Sequence, residues 1–246
     1  DLLTGGEVLS FDMFLPSLRQ KRSLIVTLCP KTGGKTLKAF LETHFCNYRV
    51  LTRSDGEDYR LKDRHGKDNP IDSEHFVVCT THHGVSGLVP RFMTQEQFDG
   101  ALKVVTTRDT WSRVGSIHMG NQVFKKMPFS EFVRRYLRSD TQLYPPSEYV
   151  NRNAAVNKIH LNPQADWLDE PHDLTVRLEH LLPDVGRVLA EITDDHYDPE
   201  WLNYGKKNVR EIEDGKPYTL SLTPEDRRRI RAFYARDAAY GLFSST

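Results

Sequence analysis

The chain has 246 residues and a mass of 28.4 kDa, enough for one domain with its own hydrophobic core. Lysine plus arginine and aspartate plus glutamate both number 34, so the net charge is zero and no broad basic face for duplex DNA is expected. No apolar run approaches the ~20 residues that span a bilayer. The three cysteines form no CxxC pair, so neither a zinc ribbon nor a redox motif is expected.

The first predicted elements are a strand, a glycine turn and a helix. Residues 1–22 are expected to form an irregular lead-in, and 23–246 one α/β domain. The apolar run 23–29 predicts a buried strand that ends at the glycine-containing segment 30–34. A helix is expected from near Lys35, because apolar residues then recur at helical spacing. This order predicts a P-loop-like phosphate-binding strand-loop-helix unit.

Predicted strands and helices alternate through the rest of the chain. Polar residues 53–73 are expected to form an exposed loop. Thr223 and Pro224 are typical of a helix N-cap and first helical residue, and the apolar face of that last helix extends to Ala238. The alternation predicts an α/β fold with a central parallel sheet flanked by helices. The other predicted elements are strands at 76–81, 102–107 and 174–177 and helices around 129–137 and 185–192.

The glycine turn has the chemistry of an anion site. Backbone N–H groups at a helix N-terminus attract negative charge, and glycine lets the backbone approach an anion closely. Gly33 and Gly34 supply this approach, while Lys31, Lys35 and Thr36 add positive charge and a hydroxyl. The alternative interpretation is a tight turn with surface lysines.

Two families use such a loop. The end of the Walker A pattern GxxxxGK[ST] fits Gly34, Lys35 and Thr36, but Cys29 occupies the position of its first glycine. Residues 30–36, PKTGGKT, resemble the PKxGGT[TS] loop of sulfotransferases that use 3′-phosphoadenosine 5′-phosphosulfate (PAPS). They depart from that pattern at Lys35, where the family usually has threonine or serine.

A second motif follows the strand at 102–107. Residues 108–116, RDTWSRVGS, resemble the 3′-phosphate motif RxPxxRxxS of the same family, with Thr110 replacing proline. Softer similarities to the carbohydrate sulfotransferases occur at 128–133 and 172–179 and in the C-terminal helix. The resemblance therefore extends from about residue 23 to 243 in the same order.

The resemblance implies transfer of a sulfuryl group from PAPS to an acceptor hydroxyl of a carbohydrate or small molecule, with release of PAP and without a metal. Lys31 matches the catalytic lysine of the family. Arg108 and Ser116 would hold the 3′-phosphate, together with Arg113 unless that side chain faces solvent. The residues assigned to the 5′-phosphosulfate are Lys31, Thr32, Gly33, Gly34, Lys35 and Thr36.

The proton acceptor is predicted from a histidine pair. His82 and His83 follow the strand at 76–81, on the sheet edge where α/β proteins bind ligands. Glycosaminoglycan 2-O-sulfotransferases carry a histidine base between the two cofactor motifs, which favours His83 over His82. His118 and Glu179 are lesser candidates.

Other assignments remain open at this point. Lys206 and Lys207 lie in a basic segment that resembles the nucleotide-contacting C-terminal segment of the family, and a solvated loop is the alternative. The alternative functions are a P-loop kinase that uses Gly34 to Thr36, and a non-catalytic binding module. The absence of N-glycosylation sequons favours a cytoplasmic location, and a Golgi-lumenal domain with its anchor removed is the alternative.

Overall fold

The predicted apolar strands form the centre of a six-stranded sheet in a computed structural model of the chain. The described residues are 18–52, 59–71, 74–81, 85, 89–143, 159–196, 198 and 221–244. The strands are β1 (Leu24–Leu28), β2 (Tyr48–Thr52), β3 (Arg60–Lys62), β4 (Val77–Thr81), β5 (Leu102–Thr107) and β6 (Leu174–Arg177). Their order across the sheet is β3-β2-β4-β1-β5-β6, and among these strands β3 alone runs antiparallel.

Helices connect and cover these strands. The described helices are α1 (Gly34–His44), α2 (Val89–Phe92), α3 (Gln95–Gly100), α4 (Thr110–Gly120), α5 (Phe129–Tyr136), α6 (Ala165–Leu168), α7 (Leu181–Ile192), α8 (Pro224–Phe233) and α9 (Ala235–Ala239). The predicted α/β class, with a mostly parallel central sheet flanked by helices, is confirmed. Within the described residues, no helix has both the length and the apolar character that crossing a membrane requires.

Apolar side chains cover both faces of β1. Leu24 and Val26 point to a cluster that includes Leu37 of α1 and Val188 of α7, whereas Ile25 joins a cluster on the opposite face. A strand buried on both faces has a continuous apolar sequence, because successive side chains alternate between the two faces. This burial explains why β1 was readily predicted.

The order of the strands creates a crevice beside β1. From β1 the chain goes to β2 and β4 on one side, and then to β5 and β6 on the other. Ligands of open α/β sheets bind at such a switch point, outside the carboxyl ends of the strands. The turns after β1 and β5 therefore lie where a ligand is expected.

Two expectations need correction, and one strand was missed. β2 was not predicted, since the charged Arg49 interrupts its apolar pattern; this side chain is buried and donates to the carbonyls of Asn69 and Pro70. β3 lies within the segment expected to be a loop. The last helix breaks at Tyr234, and Ala238 on the following helix α9 is exposed.

Candidate phosphate-binding site

The loop between β1 and α1 has the backbone of an anion cradle. Lys31 and Gly33 have positive φ angles of 67° and 79°, which turn the chain sharply before α1 begins. No side chain caps the N-terminus of α1, and no acidic residue lies in its first turn. The positive end of the helix dipole is therefore left without a neutralising group of its own, as an anion site requires.

Two side chains hold this loop from outside. The Thr32 hydroxyl donates to the Cys29 carbonyl at 2.6 Å and lies 2.6 Å from the Thr106 hydroxyl of β5. Arg113 of α4 donates from Nε to the Pro30 carbonyl at 3.0 Å. The loop is thus fixed to both β5 and α4, which keeps its N–H groups in place before a ligand arrives.

Gly33 is required by packing as well as by its φ angle. A Cβ at this position would overlap Cδ1 of Leu178 and lie 3.3 Å from its Cγ. The left-handed backbone conformation at Gly33 is also unfavourable for residues with a Cβ. The loop therefore lies closer to the end of β6 than any other residue type would allow.

The Lys31 side chain reaches the end of α4. Its Cε and Cδ lie 3.2 and 3.9 Å from the point where a Cβ of Gly120 would stand. Lys31 is half-buried, and its ammonium lies at the C-terminal end of α4. Helix C-termini attract cations, because their last carbonyl groups have no partner within the helix.

A second turn follows β5 at Arg108. The buried side-chain amide of Gln164 accepts from the Arg108 N–H at 2.8 Å and donates to the Arg108 carbonyl at 2.9 Å. One side chain thus satisfies both backbone groups, as a neighbouring strand would do. The backbone of Arg108 is therefore clamped at the point where the strand ends.

The C-terminal segment supports this clamp. Asp237, which is fully buried, accepts from the Thr110 hydroxyl at 3.2 Å and from the Ala165 N–H at 3.0 Å. Burial raises the pKa of Asp237, and the Arg113 guanidinium acts in the opposite direction. Leu242 closes the turn, since its carbonyl accepts from the Thr110 N–H at 2.7 Å.

The Arg108 guanidinium lies along the start of α4. Its Nε donates to the Ser112 hydroxyl at 2.9 Å. Burial lowers the pKa of Arg108, and the nearby Glu179 and Asp109 carboxylates oppose that shift. A partly desolvated cation of this kind interacts strongly with an anionic group that enters the crevice.

One face of α4 extends from the Arg108 side chain to the Lys31 ammonium. Ser112, Ser116 and Gly120 are each four residues apart, so they lie on the same side of the helix, and all three are half-buried. The rise from Ser112 to Gly120 is about 12 Å. The Arg108 side chain contacts one end of this face and the Lys31 ammonium contacts the other.

The structure thus brings Lys31, the loop, Arg108 and Ser116 to one edge of the sheet. The Thr32 side chain is used within the loop, Lys35 is exposed, and Gly34 and Thr36 lie in the half-buried first turn of α1. These binding roles remain predictions. His82, His83, Lys206 and Lys207 lie outside the described residues.

Arg113 does not face solvent. It is fully buried, and its Nη2 donates to the carbonyls of His160 and Asn162 while its Nε holds Pro30. His118 also lies in the core, where Nε2 contacts the Met127 carbonyl and the ring packs against Phe132. His118 is therefore poorly placed to accept a substrate proton.

Several supporting residues were not found by sequence reasoning. Gln164 belongs to no motif that was singled out, Ser112 lies within the 108–116 motif but was given no role, and Gly120 looks like an ordinary helix end. Glu179 was considered as a base, but it accepts from the Asp109 N–H at 3.0 Å and so supports the Arg108 turn. No local pattern would have identified Gln164, since its partner lies 56 positions away.

Comparisons with known proteins give distant similarities. No protein-family model and no curated protein matches the chain. The mouse sulfotransferase SULT7A1 complexed with PAP is similar at 10% identity and a TM-score of 0.47, with 92% of this chain and 90% of that chain covered. A sulfotransferase from Alicyclobacillus acidocaldarius is similar at 13% identity and a TM-score of 0.40, with 91% of this chain and 97% of that one covered. At these values the similarity alone establishes neither the family nor the function of this chain.

Proposed function

We propose that the chain is a PAPS-dependent sulfotransferase of the carbohydrate-like branch, which sulfates a hydroxyl of a carbohydrate or small molecule. The observation that carries this proposal is the pair of cationic turns at the two ends of one α4 face. A nucleotide with phosphates only on its 5′ side needs one such turn. A nucleotide with a further phosphate on the 3′ position needs two that are held apart.

The residues of the two turns fit the two ends of this donor. The N–H groups of the loop and the positive end of α1 bind the 5′-phosphate. Arg108 and Ser116 bind the 3′-phosphate. Lys31 stabilises the negative charge that develops on the leaving phosphate oxygen during transfer. PAPS supplies the sulfuryl group.

A P-loop kinase is the second candidate, because Gly34, Lys35 and Thr36 match the end of the Walker A pattern. Cys29 occupies the position of the first Walker glycine, and it is buried in the core with Val105 and Trp167. A kinase would also give no binding role to Arg108, whose backbone is held in place by Gln164. The sulfotransferase proposal uses both turns.

Calorimetric titration separates the two candidates. We expect PAP to bind tightly without Mg²⁺, and AMP, which lacks the 3′-phosphate, to bind at least ten times more weakly. Arg108→Ala should remove most of this difference, since a charge-assisted hydrogen bond contributes roughly 1.5–3 kcal/mol. Arg138→Ala is the matched control, because Arg138 is an exposed arginine paired with Asp140. Preference for Mg²⁺·ATP over PAP would support the kinase instead.

The predicted base and basic segment are tested separately. His83→Ala should lower the rate of sulfate transfer while PAP affinity stays unchanged, because a general base contributes roughly 10²–10⁴-fold to rate. The same result for His82→Ala alone would move the assignment to His82. Lys206→Ala and Lys207→Ala should instead weaken PAP binding, and unchanged affinity in both would contradict their nucleotide role.

A further inference from the structure

Gly120 lies where the side chain of Lys31 crosses the end of α4. A Cβ on Gly120 would overlap the Lys31 ammonium nitrogen and would lie 3.2 Å from Cε. The atoms that would clash belong to the far end of a flexible side chain. A side chain at position 120 can therefore be accommodated if the Lys31 side chain moves. Such a substitution should change the position of Lys31 and leave the fold intact.

The path of Lys31 is defined at both of its ends. Its backbone is held in the left-handed region with φ 67°, and the preceding Pro30 carbonyl is fixed by Arg113. The ammonium is attracted to the C-terminal end of α4 and repelled by the positive N-terminus of α1. These two effects direct the side chain across Gly120.

We propose that Gly120 is a positioning residue for Lys31. Resting on the proposed function, this inference assigns Gly120 the task of leaving room for the ammonium at the end of α4, the position from which it meets the leaving oxygen. A side chain at position 120 displaces the ammonium without touching the N–H groups of the loop or Arg108. Catalysis should therefore suffer while nucleotide binding is retained.

Gly100 provides a matched control. Like Gly120 it is the last residue of a helix, α3, but a Cβ at Gly100 would meet nothing within 4 Å. Alanine favours a helix over glycine at both positions. Both alanine variants should therefore have a melting temperature equal to or higher than that of the original protein, so lost stability cannot explain lost activity.

The experiment measures PAPS hydrolysis as PAP release in the absence of an acceptor, together with PAP affinity by calorimetry. Gly120→Ala should lower kcat by roughly 10-fold or more while the Kd for PAP changes less than 2-fold. Gly120→Ser should behave in the same way, and Gly100→Ala should match the original protein. Equal kcat in the Gly120 and Gly100 variants would overturn the proposal.

A ligand-free measurement separates this inference from the proposed function. Reductive methylation with ¹³C gives each lysine an NMR signal, and Lys31→Arg identifies the signal of Lys31. That signal should shift in Gly120→Ala and stay unchanged in Gly100→Ala, whether or not PAP binds. An unchanged signal overturns the Gly120 contact, whereas a shifted signal in a protein that fails to bind PAP overturns only the proposed function and the catalytic role built on it.

Discussion

The two cationic turns of the site are built in different ways. The loop after β1 is made by consecutive residues, whose positive φ angles and glycine shape the backbone before α1 begins. The turn after β5 has no special backbone angle, and Arg108 is held by Gln164 and the C-terminal segment. The first turn is formed by consecutive residues, and the second is assembled from distant parts of the chain.

This difference predicts different responses to mutation. Removing a loop side chain should affect chemistry or the loop itself, because the loop keeps its remaining contacts to β5 and α4. Removing one support of the Arg108 turn should affect 3′-phosphate binding through a residue that does not touch the nucleotide. The four predictions below test this contrast, beginning with the largest effect and ending with the smallest.

Lys31→Ala should produce the largest change. We expect the rate of sulfuryl transfer, measured as PAP release from PAPS, to fall by roughly 10²–10³-fold, since charge stabilisation on the leaving oxygen is lost. The melting temperature should not fall, because alanine removes no core packing. Lys67→Ala is the control, as Lys67 is an exposed lysine in the turn after β3, which has no proposed binding role. Near-full activity of Lys31→Ala would contradict the mechanism.

Gln164→Ala should weaken the distant turn. Without its amide, both backbone groups of Arg108 lose their partner, and we expect the Kd for PAP to rise on the order of 10-fold, or about 1.4 kcal/mol. AMP affinity should change much less, because the phosphate loop is intact. This selective loss distinguishes a positioning role from general unfolding.

Asp226→Ala is the matched control for Gln164→Ala. Asp226 is also buried and accepts three hydrogen bonds, from the Thr223 N–H and hydroxyl and from the Ser130 hydroxyl, but at the start of α8. This variant should lose stability and keep its ratio of PAP to AMP affinity. Equal loss of PAP and AMP affinity in Gln164→Ala would argue against the clamp.

The same contrast explains how much the sequence could predict. The strand, glycine turn and helix at 24–44 could be predicted, because apolar periodicity and the glycine pair are patterns of residues that are adjacent in the sequence. The Gln164 clamp was not, since its contact joins residues 56 positions apart. The burial of Arg113 could not be predicted either, because the sequence does not distinguish an arginine that binds carbonyl groups in the core from one that binds a phosphate.

Gly33→Ala should have an intermediate effect that concerns the loop itself. The left-handed φ of 79° and the overlap with Leu178 should lower the free energy of unfolding by ~1–3 kcal/mol, measured by urea denaturation. Both PAP and AMP should bind more weakly, because the 5′-phosphate is common to them. Gly66→Ala shares a φ of 75° but has open space around the Cβ position, so it measures the backbone cost alone.

The smallest effect concerns Cys29, which directly precedes the phosphate loop and lies in a cluster with Leu242 and Trp167. Burial raises the pKa of the Cys29 thiol to about 12, and Cys79 is also buried, whereas Cys46 is exposed. Because buried thiols are inert, a disulfide reagent at pH 8 should label one thiol per native chain, at Cys46. In Gln164→Ala the turn after β5, to which Leu242 is hydrogen-bonded through Thr110, should loosen, and slow labelling of Cys29 should appear. The same labelling rate in Gly33→Ala would mean that the two turns open together, and the contrast between a local and an assembled site would not hold.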